Sequence, residues 1–315
     1  MGALAIEVHD LHMRYGAEEA VRGIDLEVGR GEVFGFLGPN GAGKTTTIEI
    51  LEGYRLRTSG RVSVLGVDPA APTREWRDRI GLVLQECELD PLLTVAETLT
   101  LFAGFYSHPR PVDDVVQLVG LRDKRDARVG RLSGGQRRRV DVGVALIGDP
   151  ELVFLDEPTT GFDPAARREA WAMIEGLKAL GKTVFLTTHY MDEAQHLADR
   201  VAILRAGRIV ALGRPTELID GVENETMVTF RRPEPFDLAA LRAWVGDAPE
   251  VAGDDVRLRT TDAQATLRRL LAWADEHALR LERLEVRRPD LEEIFLGLMS
   301  DRGLPGDADG DSGRG

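Results

Sequence analysis

Residues 38–45 read GPNGAGKT, a GxxxxGK[ST] run. Gly38, Gly41 and Gly43 let the backbone turn so that successive N–H groups point inward at phosphate oxygens. An apolar run, VFGFLG (33–38), precedes it and a helical stretch, TTIEILEG (46–53), follows. That strand–loop–helix order is the context a phosphate-binding loop requires, and the helix N-terminus adds the positive end of its dipole. Lys44 would supply a charge to the β- and γ-phosphates, and the Thr45 hydroxyl suits Mg²⁺. The loop residues Pro39, Asn40 and Ala42, together with Thr46, complete the expected ATP-binding segment.

A second apolar run, LVFLDEP (152–158), ends in two carboxylates. Asp156 is expected to hold Mg²⁺, and Glu157 to act as general base for an attacking water. A third element, LSGGQ (132–136), opens a helical stretch that continues to Ile147. Ser133 and the backbone N–H groups of Gly134 and Gly135, followed by Gln136, form a second anion site at a helix N-terminus. One nucleotide fills both sites only if two chains face each other.

With these motifs in this order, the sequence resembles the ABC transporter ATPase family over residues 4–213. The resemblance implies an α/β P-loop NTPase fold with a helical insertion. It also implies a head-to-tail dimer with a second copy of the chain, in which ATP bound at GPNGAGKT of one copy is capped by LSGGQ of the other. Further roles follow position by position. Tyr15 looks like the aromatic that stacks on adenine. Gln85 looks like the glutamine that contacts Mg²⁺ and water and senses the membrane partner. Asp163, in TTGFDP (159–164), looks like the aspartate that communicates across the dimer. His189 looks like the histidine that contacts the γ-phosphate. Phe162 departs mildly, since the family more often has Leu there.

The elements that must position these groups are short apolar runs alternating with helical stretches. Besides 33–38 and 152–156, IGLVLQ (80–85), TVFLTT (183–188) and VAILRAG (201–207) have the length and composition of buried parallel strands. The segment 94–148 is mostly helical and is expected to be inserted between two strands. A composition shift near residues 220–224 ends the expected nucleotide-binding domain, 1–220. A small C-terminal α/β domain, 221–300, should contain strands at 226–232, 255–260 and 279–287 and helices at 237–245, 263–275 and 289–299. Residues 301–315 hold Gly and Asp with little to bury and are expected to be disordered. No internal repeat of the cassette is present.

Composition narrows the function. The 315 residues are 43% hydrophobic and carry a formal charge of −13, which argues against coating nucleic acid. The run 137–139, Arg-Arg-Arg, is read as a solvated or intersubunit face. Cys87 is the only cysteine, so no disulfide forms within the chain. No apolar run approaches the roughly 18 residues needed to span a bilayer. The N-terminus lacks a signal-peptide pattern, so the chain is expected on the cytoplasmic side of the membrane, peripheral to it.

In PDLEEIFLGLM (289–299), Leu291, Ile294, Phe295 and Leu298 share one helical face. Glu292 and Glu293 are expected on the other face, free to meet a partner. This ending, after TTGFDP and THYMDEA, resembles ATPases of bacterial drug and antibiotic exporters of the daunorubicin-resistance type. The implied function is ATP hydrolysis powering efflux through a separate integral membrane permease, which should dock on the helical segment near Gln85. The alternatives are a soluble ABC ATPase acting on ribosomes or nucleic acid, and an import ATPase.

Overall fold

The computed structural model describes residues 3–83, 88–221, 226–246, 249–287 and 290–299. Gln85, Cys87 and the tail 301–315 lie outside the described residues. The chain divides into two compact units, Met1–Pro215 and Thr216–Gly315.

The first unit contains, in order, β1 (Leu4–Tyr15), β2 (Glu18–Gly29), β3 (Val33–Leu37), α1 (Lys44–Leu51), β4 (Ser59–Val64), α2 (Arg74–Asp78), β5 (Ile80–Val83), α3 (Val95–Ala103), α4 (Val112–Leu118), α5 (Gly134–Leu146), β6 (Leu152–Asp156), α6 (Pro164–Ala179), β7 (Thr183–Thr188), α7 (Met191–Leu197), β8 (Arg200–Arg205) and β9 (Arg208–Gly213). A six-stranded sheet of order β5-β6-β7-β3-β8-β9 forms its centre. All pairs in it are parallel except β8–β9.

The apolar runs form these strands because both faces of the sheet are covered. Alternation along β6 sends Leu152 and Phe154 into one core and Val153 and Leu155 into the other. Along β7, Phe185 joins the first core while Val184 and Leu186 join the second. The first core lies against α1 and a separate three-stranded antiparallel sheet of order β2-β1-β4. That sheet has no counterpart among the sequence expectations. Its long strands carry bulges, so the strict alternation that marks a half-buried strand is broken. The second core is roofed by α3, α4 and α5, inserted between β5 and β6, and by α6 and α7. A capping box fixes the start of α3: the Thr94 side chain accepts the Glu97 N–H, while Glu97 accepts the Thr94 N–H.

The second unit holds α8 (Pro215–Gly221, which begins at the boundary), β10 (Thr226–Arg231), α9 (Leu238–Val245), β11 (Glu250–Ala252), β12 (Asp255–Thr260), α10 (Ala263–Glu276), β13 (Glu285–Arg287) and α11 (Leu291–Met299). Its four strands form an antiparallel sheet of order β11-β12-β10-β13 around Phe230, Leu258 and Trp273.

Two expectations need correction here. The strand expected over 279–287 shrinks to Glu285–Arg287, because Arg283 has φ +52°, which breaks the extended run. Leu279, Leu281 and Leu284 still pack on the core, but from a turn. The acids of α11 are not both free. Glu293 accepts from the Arg287 guanidinium, and its N–H donates to Asp290 Oδ1 at 3.0 Å. Leu291 and Ile294 are buried as expected and Phe295 and Leu298 half-buried, while Leu296 and Glu292 are exposed.

Candidate functional site

The residues singled out by spacing converge at the carboxyl ends of three adjacent parallel strands, where open α/β sheets bind ligands. The 38–43 loop leaves β3, Asp156 and Glu157 end β6, and His189 follows β7, which lies between them. The registers Leu37↔Thr188 and Asp156↔Thr187 bring the three strand ends level.

Gly43 caps α1 with φ +102°, and a Cβ there would sit 2.6 Å from the Ala20 carbonyl oxygen. Only glycine satisfies both demands, so the loop can turn directly into the helix. Lys44 is nearly buried. Its ammonium donates to Gly38 O at 2.7 Å and Pro39 O at 3.3 Å, and lies 3.7 Å from Glu157 Oε1. Burial pulls its pKa down, opposed by the charges of Glu157 and Asp156. Thr45 is exposed at the first turn of α1, and the Thr47 hydroxyl is turned back onto Gly43 O at 2.8 Å.

Asp156 accepts a short hydrogen bond from the Thr187 hydroxyl. Burial pushes its pKa up; the Thr187 hydrogen bond and the Lys44 and Arg138 charges oppose that, while Glu157 adds to it. Glu157 adopts φ +45°, a left-handed conformation that strains a non-glycine residue. Its N–H donates to Thr187 O and to Thr187 Oγ1, both at 3.1 Å. Its carboxylate accepts from Thr160 Oγ1 at 3.1 Å and lies 3.3 Å from His189 Nδ1. The strained turn aims the carboxylate at the loop lysine and the histidine together. A carboxylate, an ammonium and an imidazole so placed can take up a proton and balance the charge of a phosphoanhydride.

Tyr15 is 42% exposed. One face of its ring carries the Arg55 guanidinium, 5.1 Å from the centroid, and its hydroxyl lies 3.4 Å from Thr46 Oγ1. The ring is thus held beside the end of the phosphate loop. Thr45 and Asp156 together offer the hydroxyl and carboxylate oxygens that suit Mg²⁺, which takes few protein ligands and completes its shell with phosphate and water.

Ser133, Gly134, Gly135 and Gln136 stand elsewhere, at the N-terminus of α5. A capping box closes that end: Ser133 Oγ accepts from Gln136 N at 3.3 Å, and Gln136 Oε1 accepts from Ser133 N at 3.1 Å. The groove beside them also takes in Glu157 and Asp163, and none of residues 38–46. Asp163 caps α6, its Oδ1 accepting from Ala165 and Ala166 N–H at 2.9 and 2.8 Å. So the phosphate loop, the β6 end and His189 are brought together within one chain, and LSGGQ is not brought onto the phosphate loop.

One position in the site went unseen in the sequence. While Arg137 is exposed, Arg138 is buried, which corrects the expectation of a solvated or intersubunit face at that one position of the 137–139 run. It donates to Pro158 O and to Asp156 O, both at 3.3 Å, so the helix opened by LSGGQ clasps the backbone on both sides of Glu157. The signal was its spacing from Val142 and Leu146 on the inward face of α5, at i+4 and i+8.

Glu52, just past the end of α1, is also buried. Burial pushes its carboxyl up to about 8, with the Asp156 and Glu49 charges adding to the rise. A pKa raised on folding means that the folded chain keeps a proton the unfolded chain has lost. Stability is therefore lost as pH rises from about 4.5 through about 8. The Glu52→Gln chain should gain on the wild type over that window, by an amount on the order of several kcal/mol at pH 8. Urea unfolding of both proteins at pH 5.5 and pH 8 checks this, and an unchanged difference between the two pH values would contradict it.

Comparison with known proteins bears on the whole chain. Residues 21–160 match the ABC transporter family model, and residues 226–289 match that of an ABC transporter domain-containing protein-like C-terminal domain. The chain is 38% identical over 299 residues to the Nod factor export ATP-binding protein I of Rhizobium etli, covering 93% of each. It is 36% identical over 312 residues to the daunorubicin resistance ATP-binding protein DrrA2 of Streptomyces coeruleorubidus, covering 96% of this chain and 97% of that one. Among solved structures it is similar to the ADP conformation of an ATP-binding cassette of an ABC transporter. That match has a TM-score of 0.61 and 25% identity, over 68% of this chain and 92% of the other. An ATP-binding subunit of another ABC transporter aligns with a TM-score of 0.61 and 28% identity, over 68% and 91%.

Proposed function

Because the chain belongs to the ABC transporter family of ATP-binding proteins and is an ATPase of that family, we propose that it powers efflux of a drug or other small molecule through a separate membrane permease. The observation that carries this is the gathering of Lys44, Asp156, Glu157 and His189 at three adjacent strand ends, in a chain whose relatives at full length are named for export and drug resistance. No helix of the described residues is long and apolar enough to cross a membrane, and we assign the path of the substrate to a separate permease. We place the chain on the cytoplasmic side, peripheral to the membrane. The nucleotide-binding domain is assigned to 1–220, with its helical subdomain at 94–148, and an accessory domain to 221–300.

ATP lies along residues 38–46 with adenine on the open face of Tyr15. Thr45 and Asp156 would hold Mg²⁺, which supplies charge neutralisation between the phosphates; Gln85 is assigned beside it from the sequence. Glu157 takes the proton of the attacking water, and His189 and Lys44 hold the γ-phosphate. A second copy contributes Ser133, Gly134, Gly135 and Gln136 over that phosphate, with Asp163 at the same interface. A groove between α2–β5 and α3–α5 receives a cytoplasmic helix of the permease. Two exposed aromatic side chains, Tyr54 at 71% and Phe105 at 65%, line this one groove, which favours an apolar partner there.

The direction of transport is tested in inside-out vesicles that carry the permease and this chain. Adding Mg-ATP should drive a fluorescent lipophilic drug into the vesicle lumen, and Lys44→Ala should abolish that uptake. ATP-driven loss of drug from preloaded vesicles would instead mean import.

A further inference from the structure

Glu52 is only 7% exposed, and its carboxylate has no hydrogen-bond or ion-pair partner among the described residues. Charging so buried a carboxyl is costly unless a cation pairs with it, so it stays neutral until one arrives. Glu52 lines the groove between α2–β5 and α3–α5, a space of about 550 Å³. Its apolar walls include Leu82, Phe102 and Val144, with Tyr54 and Phe105 at the lip. The other charged groups in the lining are accounted for differently. Asp78 accepts the Ser107 N–H at 3.4 Å, and Asp141 lies 3.7 Å from Arg138. Arg74 and Arg77 are exposed. Glu52 is thus a single carboxyl without a partner among the described residues of its own chain, beside an apolar groove, held neutral by burial until a cation reaches it. That is the pattern of a pocket waiting for one cation on an otherwise apolar surface.

We propose that Glu52 receives a Lys or Arg side chain from the cytoplasmic helix of the permease that enters this groove, and that this ion pair selects the partner. The inference rests on the docking assigned above. The helix would lay apolar residues against Phe102 and Phe105 and extend its cation inward past them. A like-charged or neutral side chain at that position would leave Glu52 buried and unpaired, which discriminates against other permeases.

The test uses the full chain co-expressed with its permease, in a Cys87→Ser background. Phe105→Cys should cross-link to single cysteines placed along the permease's cytoplasmic helix, which reports docking without touching Glu52. Glu52→Gln should lower co-purification with the permease about tenfold or more, while the isolated variant binds ATP and resists urea at least as well as the wild type. Changing one basic residue of that helix to Glu should lower assembly likewise, and Glu52→Lys should restore it with that altered permease. Wild-type co-purification by Glu52→Gln, alongside an intact Phe105→Cys cross-link, overturns the proposed ion pair and leaves the docking in place. Absence of the cross-link, or a cross-link joining two copies of this chain instead, overturns the docking itself and the ion pair with it.

Discussion

Glu157→Gln is expected to lower steady-state phosphate release by about 10²–10⁴, the range for removal of a general base, while ATP binding persists. The geometry explains the split. Gln keeps the shape of Glu and can still accept from Thr160 Oγ1, and the backbone hydrogen bonds to Thr187 do not involve the side chain. The left-handed turn at residue 157 is therefore retained, and the 38–46 segment is untouched. What is lost is the capacity to take a proton, along with the carboxylate charge 3.7 Å from Lys44 and 3.3 Å from His189. Losing that negative charge also removes repulsion against the γ-phosphate, so the ATP-bound state should accumulate. Light scattering with Mg-ATP should then show a stable dimer where the wild type shows a transient one. Phosphate release at the wild-type rate would remove Glu157 from the role of base.

The strands that place Glu157 were legible because they are buried on both faces: continuous apolar runs such as 152–156 and 183–188 leave few other structures open to them. Their order in the sheet was not. Nothing in either run says that β7 lies between β6 and β3, and it is that adjacency which puts Thr187 against Asp156 and His189 against Glu157. The motifs marked which residues act; the long-range pairs that orient them had no local signature. Arg138 shows the same limit. Three consecutive arginines suggested a solvated or intersubunit face, yet helical period turns the middle one inward onto two carbonyls at the β6 end. Glu293 errs for the same reason, since its partner Arg287 comes from a strand whose pairing the sequence did not reveal. The antiparallel β2-β1-β4 sheet escaped because its bulges interrupt alternation, although Ile6, Val8 and Leu11 are all fully buried.

The second large effect should come from mixing two inactive chains. Lys44→Ala removes the only cation that the phosphate loop itself presents to the β- and γ-phosphates, so that variant should not hold ATP productively. Ser133→Arg places a long cation at the N-terminus of α5, where it breaks the capping box with Gln136 and blocks approach of a phosphate. Each homodimer then has two damaged sites. If LSGGQ acts on the nucleotide of a second copy, the mixed dimer has one site with both defects and one with none. The physical ground for expecting action in trans is that Ser133–Gln136 line a groove with Glu157 and Asp163 but with none of 38–46, so LSGGQ does not sit on the phosphate loop of its own chain. ATP-driven association of the mixture should exceed that of either variant alone by about tenfold or more, since a charge-assisted phosphate contact contributes roughly 1.5–3 kcal/mol. Differently tagged chains pulled down with Mg-ATP would read this directly. To separate mechanism from misfolding, each variant should first melt cooperatively on its own. Loss of the α5 cap alone costs about 0.5–2 kcal/mol, small against the 5–15 kcal/mol that folded domains typically retain. Association no stronger in the mixture than in the separate variants would mean that the phosphate loop and LSGGQ do not share a nucleotide across copies.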